Sequence, residues 1–66
     1  MKLYINGELA VKGQEVTTFR GEKVKLIGWK EPLHKGSTGR VIVRHENSDY
    51  DWEYYPSVID GEYKED

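Results

Sequence analysis

The side chains best suited to recognising another molecule are aromatic and lie among acids. Tyr50, Trp52 and Tyr54 alternate with Asp51 and Glu53, and Tyr55-Pro56 follows directly. With Trp29 and Tyr63 they form a dense aromatic set for a chain of 66 residues. Exposed rings beside a proline make platforms for a peptide or for stacked bases. In a chain this short, with a single Phe, the same rings also have to supply core. Alternation within a strand assigns Trp52 and Tyr54 to the core. Trp29 and Tyr55, at strand ends beside loops, are the candidates for binding.

A second set is basic. Lys30, His34, Lys35, Arg40 and Arg44 fall in and just after the segment 30–38, and small domains with basic loops hold nucleic-acid backbones through phosphate contacts. The net charge of −2 conceals an asymmetry: residues 1–44 hold nine Lys/Arg against four Asp/Glu, and residues 45–66 one Lys against eight acids. Opposite charges on adjacent strands explain that division with fewer assumptions than a nucleic-acid face.

Other constellations are weaker. Gly36-Ser37-Thr38-Gly39-Arg40 looks like a phosphate-cradling loop but lacks the Lys-Ser/Thr pair and the helix that such a loop opens. Asp49, Asp51 and Glu53 point to one side of a strand, with His45 near enough to complete a ligand set. Pairing of those acids with Lys25, Arg40 or Arg44 is the simpler reading, and no metal or cofactor is expected. His34, His45, Ser37, Ser48 and Ser57 have no nucleophile context, and a closed barrel of this size leaves no room for a ligand cavity, so the chain is not expected to be an enzyme. Cysteine is absent, which excludes disulfides and thiol chemistry. No apolar run is long enough for a signal peptide or a membrane span, and the expectation is a cytoplasmic protein.

The elements that must position these residues are strands. Apolar residues never recur at helical spacing over three turns, whereas short alternating segments are separated by glycine-containing turns. Lys2–Ile5 and Glu8–Val11 flank Asn6-Gly7, which favours the positive φ values of a two-residue type I′ hairpin turn. Glu15–Arg20 has the β-branched content of a strand. Lys23–Trp29 alternates charged and apolar residues, Gly39–Arg44 places Val41 and Val43 inward, and Tyr50–Tyr54 is the aromatic strand. Pro56 stops that strand and opens a 3₁₀ turn over Pro56–Ile59, after which Glu62–Lys64 forms a short edge strand. Five or six strands in one domain, residues 1–66, are best protected from edge-to-edge aggregation by closing into a small barrel. The hairpin within residues 1–14 is either the start of that barrel or an appendage to it.

From Lys23 onward the order of strand, loop, Gly39-Arg40-Val41-Ile42-Val43, polar turn, aromatic strand, Tyr55-Pro56-Ser57-Val58 and terminal strand resembles a Src-homology-3 domain, in which Pro-Ser opens a 3₁₀ turn. The resemblance implies an all-β Src-homology-3-like barrel. Thr18-Phe19-Arg20-Gly21-Glu22, Ser37-Thr38-Gly39-Arg40-Val41 and Tyr54-Tyr55-Pro56-Ser57-Val58 are also similar to short proteins encoded by bacteriophages and prophages, a group with no assigned activity to transfer. Peptide-binding Src-homology-3 domains carry Ala-Leu-Tyr-Asp-Tyr in their first strand and a tyrosine after Pro-Ser-Asn. Here Lys2-Leu3-Tyr4-Ile5, and Val58 with Ile59, stand instead, so recognition of proline-rich helices is not implied.

The first expectation is therefore a non-catalytic module that binds a host or phage protein through Trp29, Lys30, His34, Lys35 and Tyr55. The alternatives are nucleic-acid association through Lys30, Lys35, Arg40 and Arg44, and a structural, self-assembling phage component paired along Glu62-Tyr63-Lys64. The expected state is a monomer or weak homo-oligomer.

Overall fold

The computed structural model describes residues 1–34 and 36–65, and among these the chain is all-β with a single 3₁₀ turn. The strands are β1 (Lys2–Ile5), β2 (Glu8–Leu9), β3 (Glu15–Thr17), β4 (Lys23–Lys30), β5 (Arg40–His45), β6 (Asp51–Tyr54) and β7 (Gly61–Lys64), with the 3₁₀ turn over Pro56–Ile59. That makes seven strands where five or six were expected. They form two antiparallel sheets, β2-β1-β7 and β3-β4-β5-β6.

Local chemistry accounts for the turns. Asn6 and Gly7 both take positive φ, 53° and 82°, as a type I′ hairpin requires. Glu15–Arg20 was expected to run as one strand, but β3 stops at Thr17 because Thr18 closes a compact turn. Its backbone N–H donates to the Glu22 carbonyl (2.8 Å), and its buried hydroxyl accepts from the amides of Arg20 (3.3 Å) and Glu22 (3.2 Å). Phe19 is thereby turned outward, 74% exposed, and its amide donates to the Val58 carbonyl of the 3₁₀ turn.

The core draws on both sheets and on the turn: Leu3, Ile5 and Ala10 from the N-terminal segment, Val16, Val24, Leu26, Val41 and Val43 from the larger sheet, and Ile59. The N-terminal hairpin is therefore no appendage, since β1 pairs along its whole length with β7 and supplies buried Leu3 and Ile5. Trp29 reaches the inner side through a bulge. Between Leu26 and Gly28 the β4–β5 register shifts, so that Trp29 lies opposite buried Val41, and directly opposed residues share a face. Strict alternation from Val24 and Leu26 would have put Trp29 on the outside.

Trp52 corrects the sequence expectation in the other direction. Its register opposite Val43 places it on the inner face, yet it is 48% exposed, because β6 is the edge of its sheet and no further strand among the described residues pairs with it. Tyr54, opposite Val41, is half-buried and packs against the core.

Candidate functional site

Segment 31–39 joins β4 to β5, and its conformation is set at both ends by one residue of β7. The Tyr63 hydroxyl lies 2.7 Å from the Lys30 carbonyl and 3.1 Å from the Arg40 carbonyl, so a single phenol staples the two strand ends flanking the loop. Burial, with the Glu31 carboxylate as a smaller cause, pushes that phenol from 10.0 up to about 12. Gly39 makes the approach possible. Its φ is +72°, and a Cβ there would lie 2.7 Å from both the Lys30 carbonyl oxygen and the Tyr63 ring, so no other residue fits without a shift.

With the loop held, an open surface cleft of about 790 Å³ lies between it, the start of the 3₁₀ turn and β7, with Pro32, His34, Tyr55, Pro56, Ser57 and Tyr63 among its lining residues. The interior is taken up by side chains such as Leu26, Val41 and Val43, which are fully buried. The cleft is an outside feature, made by a loop and not by the space between the sheets.

Tyr55 is 56% exposed and stands at the cleft with the Arg40 guanidinium over its ring, 4.2 Å from the centroid. Arg40 is oriented for this by its own neighbour, because Nη1 donates to the Gly39 carbonyl at 2.7 Å. The stack fixes a flat aromatic beside buried Pro56, which opens the 3₁₀ turn with no N–H to satisfy.

Of the residues nominated for partner binding, Tyr55 and His34 meet at this cleft. Trp29 does not line it; it is half-buried, packs against the core and has Lys12 Nζ 5.8 Å from its ring centroid. Lys30 is exposed and bound to Glu53 (3.2 Å). Lys35 lies outside the described residues.

The described members of the nucleic-acid set are likewise engaged locally: Arg44 pairs with Asp51 at 2.8 Å, Lys30 with Glu53, and Arg40 with Tyr55. Two acids of the stripe, Asp51 and Glu53, are therefore paired across strands, with Arg44 as one of the anticipated cations and Lys30 in place of Lys25 or Arg40. His45 hydrogen-bonds the Tyr54 hydroxyl (2.7 Å) and meets Trp52 edge-on, and no group of three or more His, Asp or Glu side chains suited to a metal exists among the described residues. In the glycine-rich segment the Gly39 amide points at the Ser37 hydroxyl (3.4 Å), and Arg40 begins a strand, not a helix.

Sequence reasoning placed Tyr63 in the aromatic set but not in the site. Its role depends on carbonyls 33 and 23 residues away, and no local pattern carries that information. Comparison with protein-family models, with curated proteins and with solved structures finds no match to this chain.

Proposed function

We propose that this protein is a non-catalytic protein-binding module that docks a partner in the cleft between segment 31–39 and the 3₁₀ turn. The observation that carries the reading is Tyr55: an exposed ring held flat by Arg40, beside Pro56, over a cleft large enough for several side chains of a partner. His34 lines the same cleft. The local engagement of Arg40, Arg44 and Lys30 favours this reading over nucleic-acid association, since each cation already has a partner within its own fold.

The two sheets are read here as the halves of a Src-homology-3-like barrel. Support comes from the β4-β5-β6 meander, the 3₁₀ turn before the last strand and the return of β7 to β1. The motif resemblance supports a phage- or prophage-encoded protein whose partner is a host or phage protein in the bacterial cytoplasm.

Affinity capture from a lysate of the cells that encode the protein, with and without nuclease, tests the reading. Expected is a protein partner that survives nuclease and whose recovery falls roughly tenfold or more with Tyr55→Ala, while thermal stability barely changes. A signal lost with nuclease, or a partner that Tyr55→Ala retains in full, overturns it.

A further inference from the structure

β6 ends the larger sheet, and on its far side no strand pairs with it among the described residues. An edge strand presents alternate backbone N–H and C=O groups outward, where an extended segment can add as a further strand. Main-chain bonds then hold the segment, and its alternating side chains meet whatever the two faces of the edge offer.

The two faces of β6 offer different chemistry. On the inner side Trp52 is 48% exposed, and Tyr54 borders a recess of about 210 Å³ whose lining includes Phe19 and Val58. The other side carries Asp51 and Glu53. Arg44 binds Asp51 through Oδ1, by Nε at 2.9 Å and Nη2 at 2.8 Å, and Lys30 binds Glu53 through Oε2. Both carboxylates stay open to solvent all the same, with side-chain exposures of 40% for Asp51 and 50% for Glu53. Glu46 and Asp49, both exposed in the turn before β6, add charge of the same sign.

That charge also decides against one occupant. Two copies of this chain pairing along β6 about a two-fold axis would bring Asp51 and Glu53 of one opposite the same acids of the other, and like charges directly opposed destabilise a pair. We propose that β6 is a strand-addition site for an extended segment of a partner protein that alternates Lys or Arg with apolar residues. The cations face Asp51 and Glu53, and the apolar side chains lie along Trp52 toward Phe19. The recess shares no lining residue with the cleft at Tyr55, so this is a second surface that stands or falls separately from the first.

The test is an NMR titration of the full chain with three acetylated, amidated peptides: one alternating Val and Lys, its Val/Glu counterpart, and the Val/Lys peptide N-methylated on alternate backbone nitrogens. Expected are amide shifts at Asp51–Tyr54 with cross-strand contacts for the Val/Lys peptide alone. The affinity should fall roughly tenfold with Glu53→Lys and also with added salt, and Trp52→Ala should weaken it further. If Glu53→Lys does not fold, Glu53→Gln and the salt dependence carry the same comparison. No shift at β6, equal binding of the Val/Glu or N-methylated peptide, or shifts confined to Tyr55–Ser57 overturns the proposal. So does a dimer of the peptide-free chain in sedimentation equilibrium.

Discussion

The Tyr63 phenol has one proton and two carbonyl neighbours, and its burial makes that proton hard to remove. A group whose pKa is higher folded than unfolded contributes stability that is complete below the unfolded pKa and is lost as pH rises through the folded one. For Tyr63 the window runs from 10.0 to about 12. Urea midpoints measured across that window should therefore fall for the parent protein by an amount missing from Tyr63→Phe. At neutral pH Tyr63→Phe should cost about 1 kcal/mol, the usual net worth of a hydrogen bond. Hydrogen exchange of segment 31–39 should rise in the variant, because the ring remains to pack against Gly39 while the staple is gone. Unchanged exchange there would mean that the loop holds its shape without Tyr63.

At the scale of elements, position within a sheet outweighs residue type. Leu26 and Trp52 both lie on the inner face of the larger sheet, but Leu26 is on central β4 and fully buried, whereas Trp52 is on edge β6 and 48% exposed. Leu26→Ala should cost roughly 2–5 kcal/mol through lost burial and the cavity left behind. Trp52→Ala should cost clearly less, despite removing a larger side chain, and equilibrium urea unfolding of the two variants compares them directly. An equal or greater loss from Trp52→Ala would put that ring back in the core. The bulge in β4 belongs to this scale as well, because one irregular residue moves Trp29 from the outer face to the inner one, against the core.

For the whole molecule the decisive contact is between its ends. β1 pairs with β7 from Lys2↔Lys64 to Ile5↔Gly61, and the Asn6 amide donates to the Asp60 carbonyl at 3.0 Å. Deleting residues 1–11 would remove Leu3, Ile5 and Ala10 from the core cluster and leave β7 without its ladder. A domain this small has little stability to lose. The truncated chain should show an unfolded far-ultraviolet circular dichroism spectrum and collapsed amide dispersion, whereas an appendage could be removed with the remainder intact.

What the sequence determined by itself was local. Period-two alternation marked the strands, Asn6-Gly7 the hairpin, Pro56 the 3₁₀ turn, and Val41 with Val43 the core, because each depends on backbone preferences or on which side of one strand a residue faces. Part of the site was legible in the same way: Tyr55 stands out as an aromatic that Pro56 cuts off from its strand, and His34 as a loop residue. Tertiary structure decided the rest. Whether Trp52 is covered depends on what lies beyond β6, whether Trp29 faces in depends on the β4–β5 register, and the cleft exists because Tyr63 and Gly39 meet across the fold. Those are relations between distant segments, and the alternation within any one strand is the same whichever neighbour it finally receives.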